Sequence, residues 1–189
     1  GVAALTLEDT QLPIPFGAAE PRISIAEMTA RLRSALAARS DPGLVIVGRT
    51  NAPKPGVADD AVARLTAYAA TGVDAMMILG VSDADQVVAA AEVIPLPLIL
   101  GNVPTGDPRL LDLDFLAAHH VRVVLQNQPA FLASVLAQYE VMQHLHAGGD
   151  LDTLPHPLAP RTLVDEMLRR PVYDEARRAY LEGESRPAE

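Results

Sequence analysis

The sequence predicts an α/β fold built on a parallel sheet. Short apolar runs recur along the chain, amphipathic helical patterns separate them, and polar residues cluster just after each run. The runs are residues 2–7, 44–47, 75–79, 96–100 and 121–125. Each is too short for a helix and lacks two-residue alternation, the mark of a strand buried on both faces.

The helical patterns supply the crossovers. Residues 24–39 place Ile25, Met28, Leu32, Ala35 and Leu36 on one stripe, and Ser24 with Glu27 forms a capping-box signature. Residues 59–71 and 83–93 repeat the design, with Asp59 and Ser82 or Asp83 as caps. Residues 112–119 are a shorter version, and residues 129–147 a longer one with Pro129 in the first turn. Five strand–loop–helix units imply parallel, right-handed crossovers.

Polar residues after the strands are Glu8-Asp9, Arg49-Thr50-Asn51, Asn102 and Gln126-Asn127-Gln128. Sites in parallel α/β folds form at these C-terminal strand ends. After Gly148-Gly149 the texture changes. Residues 150–160 read as a Pro-rich, acidic linker, and residues 161–181 as one or two charged helices broken near Pro171. The expected division is 1–149 for the strand–helix body and 150–189 for a linker and terminal helices.

Composition narrows the function. The formal net charge is -9, from 24 acidic and 15 basic residues, which disfavours nucleic acid and anionic membranes as partners. Cysteine is absent, so no disulfide or thiolate chemistry is available, which fits a cytoplasmic setting. No apolar run is long enough to span a bilayer, and no basic leader precedes the first strand. Neither a G-x-G-x-x-G nor a P-loop motif is present. Five units do not close an eight-stranded barrel. By pattern alone the choice lies between an open doubly wound sheet and a barrel whose first three units are not in this sequence.

The opening segment GVAALTLEDTQLP resembles the fourth strand of barrels in the isocitrate lyase/phosphoenolpyruvate mutase superfamily, which ends in a Glu-Asp pair. Four further segments follow in the family's order. They are SIAEMTARLRSALAARSDPGLVIVGRTNA, YAATGVDAMMILG, PLILGNV and VRVVLQNQPAFLASVLAQYEVMQHL. TLVDEMLRRPVYDEARRAYL is similar to the family's C-terminal helices, which are exchanged between subunits. The resemblance implies a (β/α)8 TIM barrel of the phosphoenolpyruvate mutase type, of which this chain holds strands 4–8 and the terminal helices.

It also implies residue roles. Glu8 matches a carboxylate that supports Mg2+ through water, with Mn2+ as a substitute, while the direct acidic ligands belong to strands outside residues 1–189. Arg49 matches an Arg that binds a substrate carboxylate, and its planar fork suits that task. Asn102 matches a substrate-contacting Asn. Gln128 stands where decarboxylase relatives often carry a His, and is expected to bind substrate and assist the chemistry. Asp9 is expected to hydrogen-bond nearby backbone. His119, His120, His144 and His146 read as surface or structural residues, and the Met76-Met77 pair as core.

Departures from the family point to a substrate. The loop LPIPFGAAEPRIS has no Cys, His or Lys, so the thiol acid of the isocitrate-type lyases and the gating Lys of the mutases are missing. Leu79 stands where those lyases carry a Glu. The implied activity is Mg2+-dependent decarboxylation of a small α-keto acid, oxaloacetate, through a metal-stabilised enolate, in a homo-oligomer (a dimer or tetramer) with exchanged helices. Two alternatives stay open. One is another carbon–carbon or carbon–phosphorus lyase of the superfamily, similar to methylisocitrate lyase or carboxyvinyl-carboxyphosphonate phosphorylmutase. The other is a non-catalytic fragment or degenerate barrel.

Overall fold

The computed structural model describes residues 1–14, 16–17, 21–51, 58–103, 106–126 and 128–181. The chain divides into two compact units, Gly1–Ala130 and Phe131–Glu189. The first unit holds one five-stranded parallel sheet in the order β1-β2-β3-β4-β5. The strands are β1 (Ala4–Glu8), β2 (Val45–Asn51), β3 (Ala75–Leu79), β4 (Leu98–Gly101) and β5 (Val121–Leu125). The connecting helices are α1 (Ile25–Ala38), α2 (Ala58–Ala69), α3 (Ala84–Val93) and α4 (Leu113–Ala118). Sequential neighbours joined by helical crossovers are the pattern of consecutive strands in a (β/α)8 barrel.

The register sorts residues by face, because successive side chains on a strand point opposite ways. Ile46, Met76, Ile78, Leu98 and Leu100 form one face and are fully buried with Met28, Leu32, Leu65 and Tyr68 of the helices. Gly48 belongs to that face, and a Cβ there would lie 2.9 Å from the Met76 sulfur and 3.5 Å from Leu32. A bare backbone at Gly48 lets Met76 and α1 close over β2. The opposite face carries Val45, Val47, Arg49 and Asn51 from β2, opposite Ala75, Met77 and Leu79 of β3. It is the less filled face, with Val45 and Val123 exposed.

Helix ends follow the sequence with one difference. Ser24 caps α1 by accepting from the Glu27 N–H at 3.1 Å. The reciprocal half of the capping box is replaced, because the Glu27 carboxylate pairs with Arg31 one turn on. Asp83 and Asp112 cap α3 and α4 as expected. The Asp59 side chain lies outside the described residues, and α2 starts at Ala58.

Asp107 ties the start of α3 to a 3-10 turn at Pro108–Leu111. It accepts from the Ala84 N–H at 2.9 Å and from the Arg109 guanidinium at 2.8 Å. Arg109 in turn reaches Asp85 at 2.9 Å. The hydrogen bond from Arg109, and then that from the Ala84 backbone, hold the Asp107 carboxyl down to about 2 from an ordinary 3.8. A lowered folded-state value means the stabilisation is present above the unfolded value and disappears as pH falls through the folded one. Asp107→Asn is therefore expected to lower the thermal midpoint at neutral pH. The gap to wild type should narrow between pH 3.8 and about 2, as midpoints across an acid series would show.

The second unit contains most of α5 (Gln128–His146), then α6 (Arg161–Met167) and α7 (Arg170–Leu181). The break between the last two helices falls near Pro171 as expected, at Arg169, which takes a left-handed φ of 50°. Pro171 sits in the first turn of α7, where a missing N–H costs nothing. No described helix is long and apolar enough to cross a membrane.

Candidate active site

Glu8 and Arg49 end up side by side. They form the last register pair of β1 and β2, so their side chains leave the same face of the sheet. The Arg49 guanidinium lies 2.8 Å from the Glu8 carboxylate, and both side chains keep about a third of their surface exposed. The pair is thus accessible to a ligand from the open face. Next to it in the ladder, Arg49 is opposite Met77 and Asn51 is opposite Leu79.

Leu79 and Met77 form an apolar floor beside the pair. Leu79 is also in register with Gly101 of β4. A Cβ at Gly101 would lie 2.1 Å from a Leu79 methyl and 3.3 Å from Met77 Cε. The glycine leaves room for both side chains to lie across the strand. Met76 belongs to the core as expected, but Met77 does not: strand alternation turns it onto the face of Arg49.

Asn102 follows β4 directly, with a left-handed φ of 56°, and its side chain is exposed. Its N–H donates to the Leu125 carbonyl at 3.0 Å, which fixes the ends of β4 and β5 together. Gln128 is the first residue of α5, exposed, three residues beyond β5. Asn127 lies outside the described residues. The four sequence-predicted residues thus lie at or just beyond the C-terminal parts of four strands of one sheet, and Glu8 and Arg49 are in direct contact.

Asp9 differs from expectation. Its side chain is 1% exposed and bonds side chains instead of backbone. One carboxylate oxygen accepts from Thr50 Oγ1 at 2.8 Å, from the Tyr68 hydroxyl at 2.9 Å and from Arg64 at 3.0 Å. Arg64 also donates to the Ile23 carbonyl at 2.9 Å and pairs with Asp60 at 3.0 Å, which holds Arg22 at 2.6 Å. Burial, and then the hydrogen bond to Asp9, push the Tyr68 phenol above its ordinary value, so it stays protonated and donates. The sequence held a signal for this network. Asp60, Arg64 and Tyr68 recur at four-residue spacing, a polar stripe on a helix whose Ala61 and Leu65 are buried.

The histidines hold local structure. His119 bonds the Phe115 carbonyl at 2.8 Å and lies tilted against its ring, His144 bonds the Asp150 carbonyl at 2.8 Å, and His156 pairs with Glu140. His120 adopts a left-handed φ of 64° at the turn into β5. Of the loop after β1, residues 15 and 18–20 lie outside the described residues. Its stem is fixed by an antiparallel bridge of Thr10 with Arg22 and a 2.8 Å hydrogen bond from the Ile23 N–H to the Asp9 carbonyl.

Residues 1–146 match the phosphoenolpyruvate phosphomutase family. The chain belongs to that family. It is 41% identical over 183 residues to an oxaloacetate decarboxylase of Bradyrhizobium sp. strain BTAi1, covering 96% of this chain and 62% of the relative. The chain therefore spans less than two thirds of that protein's length. The crystal structure of a phosphoenolpyruvate phosphomutase from Streptomyces platensis subsp. rosaceus superimposes with a TM-score of 0.71 at 24% identity, over 95% of this chain and 64% of that one. Phosphonopyruvate hydrolase, solved in complex with oxalate and Mg++, superimposes with a TM-score of 0.70 at 29% identity, over 96% and 63%. The fold is thus that of phosphoenolpyruvate mutase-type barrels, of which the chain holds a part.

A metal is a separate question from the fold. Among the described residues no group of three or more His, Cys, Asp or Glu side chains could hold a metal ion. Glu8 offers one carboxylate on the open face, and it is paired with Arg49. These residues do not make a direct coordination site. Glu8 fits only a single supporting contact, one that a strongly hydrated divalent cation accepts through water.

Proposed function

We propose that the full-length protein is a Mg2+-dependent lyase that decarboxylates oxaloacetate to pyruvate and CO2. The single observation that carries the reading is the accessible Glu8–Arg49 pair at two adjacent strand ends. The likeness to oxaloacetate decarboxylases supports the choice of substrate.

The substrate is a small dicarboxylate. Arg49 binds one carboxylate with its planar fork, exchanging part of its contact with Glu8 for the ligand. Asn102 and Gln128 donate or accept through their amides just beyond the strand ends and orient the keto acid. Met77 and Leu79 keep the floor apolar, which suits a small substrate better than a larger, more polar one. In the reaction the bond to the leaving carboxylate breaks, CO2 departs, and the electron pair remains as an enolate that takes a proton to give pyruvate. Mg2+, with Mn2+ as a substitute, would supply positive charge at the keto oxygen when bound. Its direct ligands would come from residues outside 1–189, and Glu8 would support it through water.

The same reading includes a homo-oligomer with exchanged C-terminal helices. Its support is the exposed apolar surface of α7, with Val172, Tyr173 and Tyr180 all open to solvent. A cytoplasmic setting belongs to it too.

The test is pyruvate release from oxaloacetate by the full-length protein with and without Mg2+. Turnover that vanishes with a chelator and returns with Mg2+ supports the reading. The likeness to phosphonopyruvate hydrolase favours carbon–phosphorus cleavage as a second reading. Phosphate release from phosphonopyruvate, with oxaloacetate inert, would reverse the order.

A further inference from the structure

We propose that Asp9 is a positioning residue that holds the Glu8–Arg49 pair in place from the far side of the sheet. The inference rests on the reading that this pair faces the substrate. Its starting point is strand alternation: Glu8 and Asp9 are consecutive and leave opposite faces, as do Arg49 and Thr50. Two links therefore join the same two strand ends. Glu8 meets Arg49 at 2.8 Å on the open face, and Asp9 meets Thr50 at 2.8 Å on the helix face.

The regular β1–β2 ladder ends at the Glu8–Arg49 pair. Immediately beyond, Asp9 is anchored from three directions. Thr50 holds it to β2, Tyr68 and Arg64 hold it to α2, and its own carbonyl accepts from Ile23 at the far side of the loop stem. Arg64 joins the last two anchors, because it also donates to the Ile23 carbonyl. A shift of the Asp9 carboxylate is transmitted through one peptide unit to Glu8, and through Thr50 to Arg49. Misplacement by an ångström at a site costs up to about a hundredfold in rate.

A carboxylate so thoroughly buried is expensive unless fully bonded. Apolar packing closes this sheet face elsewhere, at Ile46, Met76 and Ile78. The charged hub stands at the level of the site, where positional precision has a use, and it contributes no group to the open face.

The experiment uses the full-length protein with Tyr68→Phe, which removes one donor to Asp9 and preserves the ring. Thr50→Val, with Thr50→Ser as its conservative control, gives an independent line should Tyr68→Phe not fold. Two readouts are taken alongside the thermal midpoint. The first is water exchange of the Arg49 Nε–H, followed by NMR and assigned with Arg49→Lys. The second is a double-mutant cycle with Arg49→Lys on oxaloacetate turnover.

The expected result is exchange at Arg49 about fivefold faster or more, and kcat about tenfold lower, in Tyr68→Phe and Thr50→Val. Thr50→Ser should restore both. In the Arg49→Lys background the added loss from Tyr68→Phe should be under about twofold, because the planar fork being positioned is already gone. Equal losses in both backgrounds, or unchanged Arg49 exchange, would overturn the positioning role and leave Asp9 a purely structural residue. The exchange measurement needs no substrate. Lack of oxaloacetate turnover by the wild type would therefore sink the functional reading alone.

Discussion

Arg49→Gln is expected to lower kcat/KM for oxaloacetate by about a hundredfold while leaving the fold intact. The guanidinium is presented on the open sheet face beside Glu8, with Met77 and Leu79 next to it. A substrate carboxylate bound there gains charge-assisted hydrogen bonds worth about 1.5–3 kcal/mol each. Losing the fork to a neutral amide that can make one weaker bond costs about 3 kcal/mol, and each 1.36 kcal/mol is roughly tenfold in rate. The carboxylate is held both before and during bond cleavage, so most of the loss should fall on KM. Arg49→Lys keeps the charge and loses the planar geometry, and should lie between the two, about tenfold below wild type. Stability should barely change, because a pair this exposed contributes about 0–1 kcal/mol. Steady-state kinetics with a pyruvate-release assay, read together with thermal midpoints, check both halves. A loss under about threefold for Arg49→Gln would remove Arg49 from substrate binding.

Polar residues that follow an apolar run mark the end of a parallel strand where sites form, which pointed to Glu8-Asp9, Arg49-Thr50-Asn51 and Asn102 as groups. The choice of Glu8, Arg49 and Asn102 among them, and the roles expected of them, came from the resemblance to the family. Strand limits were less legible. β2 continues through Arg49, Thr50 and Asn51, because β3 pairs with those residues whatever their polarity. Reading polar residues as loop ended the strand too soon. Faces were legible only once the register was known. Met76 and Met77 look alike in sequence, yet one is core and the other borders the candidate site. The polar stripe on α2 was legible, but its link to Asp9 was not, because the partners are 41, 55 and 59 residues away. A local rule assigns a lone Asp after a strand to the nearest backbone. Only the packing of α2 against β2 and β3 brings Arg64 and Tyr68 to it.

The hub also sets the largest stability effect. Arg64→Met is expected to destabilise the protein by about 3–5 kcal/mol, the cost of leaving one partner of a buried ion pair without the other. Arg64 is 8% exposed and Asp9 1%, so water cannot replace the lost guanidinium freely. Burial opposes the charge on Arg64, and the hydrogen bonds to Asp60 and Tyr68 outweigh it, holding the guanidinium above its ordinary value. It is therefore a fixed cation. Asp60 is not orphaned by the change, because Arg22 remains 2.6 Å from it. The loss centres on Asp9, left with two neutral donors, Thr50 and Tyr68. For a chain of this size 1 kcal/mol moves the midpoint by about 2–4 °C, so a shift of roughly 6–20 °C is expected by calorimetry. Asp9→Asn combined with Arg64→Met should cost less than the sum of the single changes, because the second substitution removes the charge that the first left unpaired. A loss below about 1 kcal/mol for Arg64→Met, or strict additivity of the pair, would mean that solvent reaches Asp9 and that the hub is not a buried ion pair in solution.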